Sequence, residues 1–182
     1  MWKATFRAHA PASGEVPEAH FAAPSAHGTW VWVDFEPSMG SSWCGCFRAG
    51  LSHRAARAMA TADGRNMFVV VGGIWYCIDA ETKRLVCTSE DFGYSEVISI
   101  PGTPRVAIAD FTTVTITSPE ATIWVSPRIA WDGLRLTSAS ATTIVGIAET
   151  GHGSDGDRKF QIDLKALTVL GGYVRECISQ NG

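Results

Sequence analysis

The chain is short of charge, of any surplus of one sign and of long apolar runs, and each shortage removes a class of function. Charged residues make up 18% of its 182 positions, below the ~25% of an ordinary soluble domain. Apolar residues reach 46%, enough to fill a core and to exclude wholesale disorder. Lys and Arg number 15 against 18 Asp and Glu, a net charge of −3. No basic excess marks a nucleic-acid binder. The most apolar window, Met67 to Ile78, is 12 residues long and is interrupted by Gly72-Gly73, too short to cross a bilayer. The opening segment Met1-Trp-Lys-Ala-Thr-Phe-Arg7 lacks the apolar stretch of a secretory signal. The five cysteines, at positions 44, 46, 77, 87 and 177, form an odd set without a disulfide framework. The expectation is a cytoplasmic protein with reduced thiols and neither a membrane nor a nucleic-acid partner. Gly-x-Ser-x-Gly, a Walker loop, a dinucleotide fingerprint and His-Glu-x-x-His are all missing, which argues against the common enzyme classes and implies no cofactor.

What is present is a succession of short apolar segments. Residues 1–28, rich in Ala, Pro, His and Gly, read as an N-terminal arm or linker. From there to residue 182 a single β-rich domain is expected. Thr29 to Phe35 alternates aromatic and β-branched residues, a strand signal. Met67–Val71 and Ile74–Ile78 flank Gly72-Gly73 as a hairpin. Further strands are read at 85–88, 96–100, 105–109, 113–117, 122–126, 133–137, 143–147, 159–163 and 168–170. Strands so short and evenly spaced predict an all-β antiparallel meander, propeller-like or sandwich. One short helix is predicted over residues 52–62, with Ser52 as N-cap, the Ala-rich run after it and Asp63-Gly64 as its stop; an exposed basic loop is the alternative.

An internal repeat runs through the second half. Val69 to Asp79 aligns with Val106 to Ile116, and Ile144-Val-Gly-Ile147 opens a third copy that reaches Phe160-Gln-Ile-Asp163. The segment Ile78 to Leu85 also matches Ile162 to Val169, where Asp closes a strand and opens a turn. Repeats of roughly 40 residues with several strands each mark propeller blades. The stretch from Val69 to Val86 resembles the blade motif of bacterial β-propeller proteins, in which a strand ends in an Asp-x-x-Thr turn, and the likeness extends over about residues 67–172. The Trp-Asp pair found at some blade ends occurs once only, as Trp131-Asp132. The resemblance implies a propeller-like meander; an unrepeated sandwich is the alternative.

Several residue groups invite a chemical reading. Trp43-Cys-Gly-Cys46 is similar to the Trp-Cys-Gly-x-Cys segment of thioredoxins, one spacer short and without a following long helix. A Cys-x-Cys pair suits a soft metal or a strained disulfide; the plainer alternative is two small apolar residues on either face of a strand. His53, seven residues on, is a candidate third ligand, or a base for Cys44 as nucleophile. Asp155 and Asp157 lie in a glycine-rich loop of the composition that binds a hard cation, or that forms an ordinary solvated hairpin. Asp34 and Glu36 are two apart on a strand and so share a face, as acid/base work would require, or as an ordinary solvated strand edge would show. Seven tryptophans are many for this length. Trp30 and Trp32 share one strand face and, with Trp131 and Asp132, are candidate contacts for a partner; most of the others are expected in the core.

Charge is divided unevenly: residues 1–66 hold six basic and five acidic groups, residues 67–182 nine and thirteen. The expected function is a non-catalytic binding domain with a protein partner. In profile, though not in motif, it resembles small bacterial immunity proteins that cover the active site of a cognate toxin. The alternatives are a metal- or thiol-dependent enzyme built on Cys44, Cys46 and His53, and a structural subunit of a larger propeller.

Overall fold

Alternating apolar residues separated by turn formers every few positions leave the backbone little choice but short paired strands. The computed structural model describes residues 2–53, 56–89, 93–149 and 156–173; among them are sixteen strands and no helix. The strands form four four-stranded sheets, and the contacts divide the chain into two compact units, Met1–Ser95 and Glu96–Gly182.

In the first unit, β1 (Trp2–Arg7), β2 (Glu18–Phe21), β3 (Trp30–Pro37) and β4 (Trp43–Arg48) make a sheet of order β1-β3-β4-β2. Its β2 runs parallel to β4, whereas the other pairs are antiparallel. The second sheet is a plain antiparallel meander of β5 (Arg57–Ala60), β6 (Asn66–Val71), β7 (Ile74–Asp79) and β8 (Arg84–Thr88). The second unit repeats that meander twice. Its members are β9 (Glu96–Ser99), β10 (Val106–Ala109), β11 (Val114–Thr117) and β12 (Thr122–Val125), then β13 (Gly133–Ala139), β14 (Thr143–Glu149), β15 (Arg158–Asp163) and β16 (Thr168–Gly171). The three aligned sequence segments fall on the second and third strands of the three meanders, β6–β7, β10–β11 and β14–β15.

Each unit has its own core. In the first, Phe35, Trp43 and Phe47 of one sheet pack with Val69, Val71, Ile74, Tyr76 and Ile78 of the next. Phe35 stacks on Trp43 at 4.5 Å between centroids and Phe47 meets Tyr76 edge-on at 5.3 Å, arrangements that add to the area they bury. Buried side chains of this size each contribute about 1.5–3 kcal/mol. The Tyr76 hydroxyl donates to the Arg48 carbonyl at 2.5 Å and accepts from the Ala23 N–H at 3.1 Å, so a polar clamp joins the two sheets. In the second unit Ala107, Val114 and Ile116 pack with Leu134, Ile144, Phe160 and Ile162.

Two expectations give way. The helix over residues 52–62 is absent from the described part of that segment: Arg57–Ala60 is β5, paired antiparallel with Met67–Val70. Helix propensity in an Ala-rich run is worth only tenths of a kcal/mol per residue, and a sheet edge offering a full ladder outweighs it. Residues 54 and 55 lie outside the described residues. The segment 1–28, read as an arm, carries β1 and β2, which occupy the two edges of the first sheet.

The Asp turns behave as the repeat predicts. Asp79 accepts the backbone N–H groups of Glu81 and Thr82, and Asp163 those of Lys165 and Ala166. Four residues beyond each Asp, Lys83 and Leu167 hold φ of 57° and 54°. Asp110 caps a third turn through the N–H groups of Thr112 and Thr113.

Candidate functional site

The side chains that carry chemistry collect on the outer face of the first sheet. Period-two alternation sends Val33, Phe35, Trp43 and Phe47 to the core and Trp30, Trp32, Asp34, Cys44, Cys46 and Arg48 to the opposite face. Gly45 explains the Cys-Gly-Cys spacing. A Cβ there would stand 2.6 Å from the ring of Phe47 and 2.8 Å from that of Phe35, so only glycine fits between the aromatic residues on the core side. The two flanking cysteines are thereby left on the other side.

Across the sheet, β2 adds two residues that the sequence reading did not single out. Its parallel register sets Glu18 opposite Cys44 and His20 opposite Cys46. The Cys46 Sγ lies 3.6 Å from Glu18 Oε2, and His20 Nε2 lies 3.2 Å from the same oxygen. These three ligand atoms all lie within 4.8 Å of one another, a grouping able to hold a metal ion. The His20 ring meets Trp30 edge-on at 5.5 Å, and the Arg48 guanidinium lies over that indole at 5.9 Å. The available signal was a second i, i+2 pair: Glu18-Ala-His-Phe21 alternates polar and apolar just as Cys44-Gly-Cys46 does.

Both cysteines are fully buried, and neither is in a disulfide. Burial pushes the Cys46 thiol up to about 12, with Cys44 and Glu18 adding to the effect. Burial also raises Cys44, helped by Asp34. Neither is the exposed, low-pKa thiol that a nucleophile needs. Asp34 and Glu36 do share a face, and each is matched to a base on β1. Arg7 Nε lies 3.2 Å from Asp34 and Lys3 Nζ 3.7 Å from Glu36. Arg7 also donates to Glu15 at 2.5 Å, which raises the Arg7 pKa and lowers that of Glu15. Both carboxylates thus face cross-strand basic side chains of the edge strand.

The remaining candidates are scattered. His53 is exposed and lines a cavity of about 340 Å³ with Val31, Leu51, Ala56 and Val71, a lining that includes neither Cys44 nor Cys46. Asp157 is exposed, 3.9 Å from Arg135 Nη2, and Asp155 lies outside the described residues. Trp131 is half-buried against the second core under the Arg128 guanidinium at 4.6 Å, with Asp132 exposed beside it. Trp43 and Trp75 are buried, while Trp2, Trp124 and Trp131 pack against the cores as half-buried residues. Trp30 and Trp32 are half-buried but belong to neither core cluster.

No helix in the described residues is long and apolar enough to cross a membrane. No protein-family model and no curated protein matches the chain. Among solved structures, it is similar to a chain of Kuenenia stuttgartiensis hydrazine synthase, with a TM-score of 0.56 and 14% identity over 84% of this chain. The chain spans 48% of that chain's length. At such identity the likeness is one of fold alone.

Proposed function

We propose that the protein is a non-catalytic binding module whose contact surface is the outer face of the first sheet. The observation that carries this reading is Trp30, an indole outside both cores, flanked by His20 and topped by Arg48. Tryptophan and arginine are the residue types that dominate the energy of protein interfaces, and the two stand together on this face. The partner is a protein, in the narrower reading a bacterial toxin neutralised by a cognate immunity protein, and the compartment is a reducing cytoplasm. The thiol-enzyme alternative is disfavoured by two buried, high-pKa cysteines and by a His53 that lines a different set of residues.

The test is co-expression of the full chain with the product of the adjacent reading frame, followed by size-exclusion chromatography. A one-to-one complex is expected. Trp30→Ala should weaken it by at least about 30-fold, the equivalent of a hot-spot loss of ~2 kcal/mol, with the unfolding midpoint unchanged. The reading is overturned if no complex forms, or if Trp30→Ala and Trp32→Ala both leave it intact.

A further inference from the structure

We infer that Glu18, His20 and Cys46 form a binding site for a borderline transition-metal ion of the zinc type. The argument rests on ligand geometry and donor chemistry, and it stands whether or not the face binds a protein.

Distances come first. Zinc bonds of ~2.0–2.1 Å to nitrogen, ~2.1 Å to oxygen and ~2.3 Å to sulfur give tetrahedral edges of ~3.4 Å for N···O and ~3.6 Å for O···S. The structure has 3.2 Å between His20 Nε2 and Glu18 Oε2, and 3.6 Å between Glu18 Oε2 and Cys46 Sγ. The third edge also lies within 4.8 Å. Two of the three edges thus already match the spacing of one small ion, and the third is short enough to close on it by a side-chain adjustment.

Donor type decides which ion. One thiolate, one imidazole and one carboxylate suit zinc and its first-row neighbours, whereas calcium and magnesium take oxygen donors. Binding displaces the Cys46 thiol proton to solvent and forms a metal–sulfur bond. The resulting thiolate and the Glu18 carboxylate then balance a divalent charge. Three protein donors leave the fourth tetrahedral position to water or to a group brought by another molecule. The backbone supports the arrangement: β2 and β4 are hydrogen-bonded neighbours in fixed register, and the edge-on Trp30 restrains the His20 ring. Cys46 is fully buried, while the His20 side chain is 61% exposed, so an ion has an approach from solvent.

The experiment uses the reduced full chain, stripped with a chelator and titrated with Co²⁺ and separately with Zn²⁺. One equivalent per chain is expected, with a thiolate-to-cobalt charge-transfer band. His20→Ala and Glu18→Gln lie on the exposed edge strand and should keep the circular dichroism of the parent. Each should weaken uptake by at least about 100-fold, the upper end of what loss of even an outer-shell partner costs. Cys46→Ser should abolish the charge-transfer band and Cys44→Ser should retain it. The inference is overturned if uptake is not stoichiometric, if the band is absent, if it follows Cys44 and not Cys46, or if folded His20→Ala binds as tightly as the parent.

Discussion

The first sheet and the three meanders that follow it have four strands each, yet only the first brings a mixed set of metal-ligating side chains together among the described residues. The difference is one connection. In the meanders each strand pairs with its sequence neighbour, so facing residues come from adjacent hairpins whose turns are tuned for tight closure. In the first sheet β2 leaves the order and lies parallel to β4 at the far edge. Parallel pairing demands a longer connection, and here it places Glu18 and His20 beside Cys46. A regular meander is economical and chemically plain, whereas the irregular sheet places distant donors side by side.

Glycine under aromatic rings offers the strongest way to test the contrast. Gly45 in β4 lies beneath Phe35 and Phe47, and Gly146 in β14 has the Phe160 ring 2.3 Å from where a Cβ would stand. Both Gly45→Ala and Gly146→Ala should lower the unfolding free energy by about 1–3 kcal/mol through overpacking, measured by urea denaturation. Only Gly45→Ala, which disturbs β4, should also weaken metal uptake.

A smaller effect separates two turns that share a positive φ at the same position. Lys83 and Leu167 both hold positive φ, a conformation that costs an L-residue about 1–2 kcal/mol. Lys83 is exposed, so Lys83→Gly should be neutral to stabilising by up to about 1 kcal/mol once the entropy of the unfolded glycine is counted. Leu167 packs against the second core, and its loss of burial should cancel the gain. Thermal midpoints that move equally for the two variants would refute this distinction.

The smallest expected effect is on acid stability. At Asp79 burial works against ionisation, but the hydrogen bonds from Thr82 and Arg65 win and the pKa lies below the usual value. Asp163 is lowered by the N–H groups of Ala166 and then Lys165. A folded pKa below the unfolded value of ~3.9 means the stabilisation is full above that pH and fades as pH falls through the folded pKa. Asp79→Asn and Asp163→Asn should therefore each show a shallower loss of stability between about pH 4 and pH 2 than the parent. Equal slopes in parent and variants would count against these turns as acid-sensitive points.

Much of this was legible in residue order. Met67–Val71 and Ile74–Ile78, with two glycines between them, permit little except a tight hairpin, and the Asp79 and Asp163 turns match down to the residue with positive φ. Arg57–Ala60 was not legible, because its helix-forming composition is overruled by pairing with β6. Nor were β1 and β2, whose short strands sit among Pro, Gly and Ala and become sheet only by adding to β3 and β4.

Within the site, alternation alone assigned Trp30 and Trp32 to one face, whereas the pairing of β3 with β4 puts Cys44 and Cys46 on that same side. His53 looked near to the cysteines in sequence, but the site's imidazole comes from His20, 26 positions before Cys46.

By itself, then, the sequence determined an all-β chain of short strands, its repeated Asp turns and the face on which each side chain lies. The tertiary structure decided which strands became neighbours, and so which donors meet. The reason is physical: a period of two settles the side of a sheet, whereas the partner across it depends on register and on the route of the chain, which alternation leaves open.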